Sequence, residues 1–182
     1  MNYAINRTTK VYVVGADPAD YDPVVWLVTT NVSAIQNISQ EYWKITGDVL
    51  GEMTQAEKDV VDATNLPASK TIRFNQVDQR TGELIAQGYT FSGKVFSLSE
   101  NAQTNILALY TTKDHTALIY PISYSTINDT EGFSVVDAAT VEQMYLTALG
   151  TKRSRLDSGT ALKDQIRAAA TKAVLDAIID NR

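Results

Sequence analysis

The chain reads as an α+β protein, with a β-rich N-terminal module followed by a domain in which β-hairpins alternate with helices. Three observations predict this. β-Branched and aromatic residues crowd the first third, in KVYVV (Lys10 to Val14) and VVWLVTTNV (Val24 to Val32). Apolar residues recur at helical spacing between Phe74 and Ile85 and again between Ala102 and Tyr110. Short apolar runs are joined by two-residue turns containing glycine, at Gly47-Asp48 and at Ser92-Gly93.

Taken in order, the run from Val24 to Val32 places Val24, Trp26, Val28, Thr30 and Val32 on one face at period two. The segment before it, GADPADYDP, carries Gly15, Pro18 and Pro23 and reads as an exposed acidic loop. YWKITGDVLGEM predicts a hairpin turning at Gly47-Asp48, because a glycine first in a two-residue loop permits the II′ geometry that matches strand twist. Ile45 then opposes Leu50, and Trp43 shares their face. Thr54 and Glu57 form a capping box opening a short helix expected to run to about Ala63. Pro67 disfavours the helical conformation at Leu66, so TNLP is read as a connector and the division falls there: residues 1–65 and residues 66–182.

The next predicted helix presents Phe74, Val77, Thr81, Leu84 and Ile85 and stops at Gly88, a left-handed cap. Gly82 weakens it by about 1 kcal/mol relative to alanine. A turn at Ser92-Gly93 pairs Phe91 with Lys94 and Tyr89 with Phe96, giving one apolar face of Tyr89, Phe91, Phe96 and Leu98. Ser99 caps a helix carrying Ala102, Ile106, Leu109 and Tyr110 on one side. A second unit repeats the outline: LIYPISYSTI, the loop NDTEG, the strand FSVV, then Asp137 capping a helix through Tyr145 and Leu149. Two further helical stretches are expected in GTALKDQIRAAA and, capped by Thr171, in KAVLDAIID.

Composition narrows the function. With 182 residues, 44% of them hydrophobic, the chain can furnish a core without staples. It has no cysteine, hence no disulfide framework or thiolate metal site, and cytoplasmic synthesis is the default. MNYAINRTTK lacks a basic-then-apolar signal pattern, and no apolar run approaches membrane-spanning length. A formal charge of −5 opposes general attraction to nucleic acid or anionic lipid, which favours protein partners and leaves self-association open.

Motifs for chemistry are sparse. His115, the only histidine, stands in TTKDHTALI as a loop or strand-edge residue, and Asp114 beside it projects the other way in an extended segment. Asp17, Asp20 and Asp22 have the wrong spacing for an EF-hand loop, with Pro18 intervening. KRSR at Lys152 to Arg155 reads as a solvated helix face. The tripeptides starting at Asn31, Asn37 and Asn128 fit the glycosylation pattern but lack a secretory context. No phosphate-loop motif occurs. The expectation is therefore no catalytic residue, no cofactor and no metal site, with Trp26 and Trp43 as partner-binding anchors because aromatic side chains are common anchors of interfaces.

One stretch carries a resemblance. Arg80-Thr81, Glu83 to Ile85, Gly88-Tyr89, Gly93-Lys94, Phe96 to Ser99 and Asn101 to Gln103 resemble a recurrent helix-hairpin domain of uncharacterised function, found toward the C-terminus of tail-associated proteins of tailed bacteriophages. The likeness extends more loosely through FSVVDAATVEQMY to SGTALKDQIRAA, and departs at Ile106, where relatives often carry tryptophan. It implies a non-enzymatic virion component made in the bacterial host cytoplasm, associated with the tail near a baseplate, fibre or collar, with other phage virion proteins as partners. A capsid decoration or head-fibre protein and a tail-fibre assembly factor are the alternatives it implies.

Overall fold

The structure, a computed structural model, describes residues 1–127 and 132–182. The glycosylation tripeptide at Asn128 and most of the loop NDTEG lie outside the described residues. The fold is α+β, with strands concentrated early and helices alternating with hairpins later. The chain divides into two compact units, Met1–Pro67 and Ala68–Arg182.

The first unit is built on an antiparallel sheet ordered β2-β1-β3, from β1 (Tyr3–Asn6), β2 (Tyr12–Val14) and β3 (Trp26–Thr29). The central strand β1 lies in MNYAINRTTK, where four residues leave too little periodicity to be read. The run from Val24 to Val32 is strand only from Trp26 to Thr29, and its core-facing residue is Leu27 rather than the row containing Trp26 and Val28. Two causes act. The Val25 and Trp26 amides donate to the Asp22 carbonyl, which delays extension. Pairing of Ile5 with Leu27 then turns both into the core, since alternate residues face opposite ways.

A hairpin of β4 (Trp43–Thr46) and β5 (Val49–Glu52) closes this core in the expected register, with Ile45 opposite Leu50 and Gly47 at φ +59°. Ile5, Leu27, Ile35, Trp43 and Leu50 fill the interior. The capping box forms as expected: the Thr54 amide donates to Glu57 Oε2 at 2.9 Å and the Glu57 amide donates to Thr54 Oγ1 at 3.4 Å.

The helix it opens does not end near Ala63. α1 runs from Gln55 to Ala86, 32 residues with Pro67 inside, so the short helix, connector and second helix are one element. A proline removes one donor and crowds the preceding turn, costing about 3 kcal/mol, yet the helical bonds formed on both sides cooperate to carry the helix through.

In the second unit, β6 (Tyr89–Phe91) and β7 (Lys94–Phe96) pair as read, Tyr89 opposite Phe96 and Phe91 opposite Lys94. Ser92 and Gly93 both have positive φ, 48° and 76°, the signature of a I′ turn. Gly88, at φ +76°, follows α1, and a Cβ there would lie 2.0 Å from the Phe96 carbonyl oxygen. α2 (Glu100–Thr112) is capped by Ser99, whose Oγ accepts from the Ala102 amide at 3.3 Å. A second hairpin, β8 (Ile122–Ser125) with β9 (Gly132–Val135), packs Val135 into the same core as Phe96, Ile106, Val141 and Met144.

The stretches expected as separate helices after Asp137 are a single helix, α3 (Ala138–Ala168), capped by Asp137. Gly150 and Gly159 weaken it without breaking it, since glycine costs about 1 kcal/mol in a helix but keeps its amide. α4 is shorter than expected, Lys172–Asp176, with Thr171 as its cap. Past it, Arg182 donates from Nη1 to Thr81 Oγ1 at 3.0 Å and to Ser158 Oγ at 3.3 Å, tying the final residues to α1 and α3.

Candidate functional site

The two tryptophans singled out as anchors have different fates. Trp43 is 9% exposed, sits among Ile5, Leu27 and Leu50, and donates from Nε1 to the Ile38 carbonyl at 2.9 Å. Its ring and its one polar atom are already used, so the anchoring role is withdrawn from it. An alternating strand that starts at Trp43 must put Trp43 and Ile45 on one side, and that side faces the core. Trp26 is half-buried, with its ring edge-on to Tyr21 at 5.2 Å and 70°.

Strand directions explain what surrounds Trp26. Both β2 and β3 run antiparallel to β1, so they run parallel to each other and the segment between them must travel back along the sheet. This return, residues 15–25, brings Tyr21 onto Trp26, on the sheet face where Ala4 is fully buried. The return is locally pinned: Asp17 Oδ1 accepts from the Ala19 amide at 3.0 Å and Asp22 Oδ1 from the Val24 amide at 2.9 Å. Asp17 and Asp22 thus serve as turn caps. At its end Val24 is 82% exposed and Val25 43%, placing two valines in solvent beside Trp26.

The other side of the sheet is an open edge. β2 pairs only with β1, and Val11, Tyr12, Val13 and Val14 are all exposed. The Gly15 amide donates to the Asn2 carbonyl and the Asn6 amide to the Val11 carbonyl, both at 2.8 Å, so odd-numbered residues direct their backbone groups at β1. Tyr12 and Val14 consequently aim theirs outward. Their side chains share the sheet face of Ile5, and Tyr12 reaches Trp43 with ring centroids 5.6 Å apart. Val13 projects to the opposite face. A strand apolar on both faces reads in sequence as a buried one; only the strand order reveals that it lies at an edge.

The remaining sequence candidates are dispersed. His115 lies in an exposed turn, where its Nδ1 accepts from the Ala117 amide at 3.1 Å, and Asp114 pairs with Lys113 at 2.8 Å. In the basic run, Lys152 donates to Gln103, Arg155 reaches the Ile85 carbonyl at 3.5 Å, and Arg153 faces Asp157 at 3.6 Å. The run is therefore spread around α3, and only part of it is the solvated face expected. The Glu57 carboxyl is held down to about 2 by its hydrogen bond from Lys44 and then by the Thr54 amide and hydroxyl, a structural cap.

No family model, curated protein or solved structure matches the chain. No helix among the described residues is long and apolar enough to cross a membrane.

Proposed function

We propose that this chain is a non-enzymatic structural or adaptor component of a bacteriophage virion, associated with the tail, that works through protein–protein contacts. The observation that carries the reading is the cluster of Val24, Val25 and half-buried Trp26 at the end of the return segment, an apolar patch that the first unit leaves in solvent. Aromatic and aliphatic side chains on a pinned loop make effective anchors, because little entropy is lost when they dock. The resemblance of Arg80 to Gln103 to a phage tail-associated domain supports the virion context. In this role the first unit attaches the chain to another virion protein.

Mass spectrometry of purified particles tests the reading, with tails and heads separated before measurement. The chain is expected in the tail fraction. Recovery with heads transfers it to capsid decoration, and absence from finished particles makes it an assembly factor. A Val24→Glu, Trp26→Ala variant is expected to fold yet to enter particles at about a tenth of the wild-type level or less, as losing about 2 kcal/mol from an anchor implies. Normal incorporation of that variant refutes attachment through this patch.

A further inference from the structure

A cavity of about 150 Å³ opens between α2 and α3, with apolar walls and Lys152 as the one charged residue of its lining. Leu98, Ile106 and Ala148 form its buried floor, and Leu107, Leu149 and Tyr145 its sides. The two helices run antiparallel, since Gln103 meets Lys152 while Tyr110, further along α2, meets Tyr145, earlier on α3. Both ends are held in place. Gln103 Nε2 donates to the Leu98 carbonyl at 2.6 Å, which turns its Oε1 toward the Lys152 ammonium, and Lys152 donates to that oxygen. At the other end Tyr145 stacks on Tyr110, with centroids 4.2 Å and planes 13° apart.

Lys152 lacks what Lys113 has. Lys113, at the far end of the same helix pair, faces Asp114 at 2.8 Å and Glu142 at 3.6 Å. Lys152 has a neutral amide as its partner, and no carboxylate pairs with it among the described residues. An ammonium carries three donors, so donors remain for an anion. Apolar walls beside a half-buried cation screen it less than open water does, and so strengthen its pull on that anion.

We propose that this cavity binds the C-terminal residue of a partner polypeptide, with an apolar side chain such as leucine entering between the helices and the terminal carboxylate pairing with Lys152. Size, charge and surroundings each restrict the occupant. A cavity of about 150 Å³ accommodates one small ring or branched alkyl group rather than the row of side chains that a docked helix presents. Because Lys152 itself lines the cavity, the anion must lie directly beside the apolar group, and a C-terminal residue carries both on one Cα. Consecutive side chains inside a helix or strand point apart instead. Apolar surface also extends past the cavity: Leu107 and Leu149 are exposed, as is Leu146, one turn from Leu149. The chain leading to a C-terminal residue covers that rim, which a free acid filling the cavity leaves in water.

NMR titration of the full chain with the peptide acetyl-Ala-Ala-Leu is the test. The comparison ligands are the same peptide amidated, isocaproate (leucine without its amine), and an amidated peptide carrying glutamate three residues after its leucine. The free-acid peptide is expected to shift the Leu98, Ile106 and Ala148 amides with a roughly millimolar Kd, the scale for a ligand of this size. Amidation should weaken binding about fivefold, and isocaproate should bind about threefold more weakly than the peptide. Lys152→Met should abolish the preference for the free acid, the two peptides then binding alike, whereas Lys152→Arg should keep it. Leu107→Glu, which sets an anion on the rim, should remove binding of both. Circular dichroism checks that each variant keeps the wild-type fold. Absence of shifts at several times the expected Kd overturns the proposal. So does equal binding of the amidated peptide, or a preference that survives Lys152→Met. Isocaproate binding as tightly as the peptide overturns the polypeptide source, and the glutamate peptide binding as tightly overturns the C-terminal one. The free and amidated peptides on wild type decide the matter if the Lys152 variants do not fold. The cavity lies in the second unit and is read without particles, so this proposal and attachment through Val24 and Trp26 can fail separately.

Discussion

Gly88 and Gly93 share the same backbone angle, φ +76°, but differ in what surrounds them. At Gly93 a Cβ would have nothing within 4 Å, whereas at Gly88 it would sit 2.0 Å from the Phe96 carbonyl oxygen and 3.2 Å from Ile127 Cδ1. Replacing either by alanine incurs about 1–2 kcal/mol for an L-residue in the left-handed region, offset by about 0.4–1 kcal/mol because alanine restricts the unfolded chain. Gly93→Ala should therefore lose only about 1 kcal/mol. Gly88→Ala adds a clash with backbone, which cannot rotate away as a side chain can, and overpacking of this kind costs about 1–3 kcal/mol more. Because the Phe96 carbonyl belongs to β7 and the Phe96 ring is fully buried, the shift propagates into the hairpin core. Urea denaturation followed by far-UV circular dichroism is the assay, with hydrogen exchange of the Tyr89–Phe96 pair as a local readout. Losses within about 0.5 kcal/mol of one another would refute the close-approach argument, leaving the backbone angle as the whole cost.

The same comparison changes sign inside α3. Gly150→Ala meets nothing within 4 Å and should stabilise by about 1 kcal/mol through helix propensity, whereas Gly159→Ala brings Cβ within 2.7 Å of Thr81 Oγ1 and should destabilise; thermal melts of both variants check the difference. Phe96→Ala should cost about 3–5 kcal/mol, while Val95→Ala, whose side chain points away from the core, should cost less than about 1 kcal/mol, measured by the same denaturation. Lys44→Met should move the Glu57 midpoint from about 2 back toward its ordinary value of 4.5, read by NMR titration of the carboxyl carbon. The folded value lies below the unfolded one, so the Glu57 contribution to stability is present above about pH 4.5 and is lost as pH falls toward 2; Glu57→Gln should lack that acid-side loss.

Residues that act through their own backbone neighbourhood were legible from the chain alone. Gly47 and Ser92-Gly93 declared their turns, and each turn set the register of its hairpin, so Ile45 opposite Leu50 and Tyr89 opposite Phe96 followed. Thr54 with Glu57, Ser99, Asp137 and Thr171 declared helix starts because a capping side chain reaches only two or three residues along the chain. Helix ends were less legible. Pro67 and Gly150 carry local penalties of a few kcal/mol at most, and the cooperative bonds on both sides of each outweigh them, so α1 and α3 run on where sequence reading stopped. The candidate site lay furthest from reach. Trp26 and Trp43 look alike in sequence, yet one strand faces inward at its tryptophan and the other outward, a difference set by which strand pairs with which. KVYVV likewise has the composition of a buried strand, and it becomes an exposed edge only because β1, and not β2, takes the centre of the sheet. Local chemistry reaches a few residues; strand order is decided by contacts between segments that the chain keeps apart, so the surface of the first unit belongs to the tertiary structure.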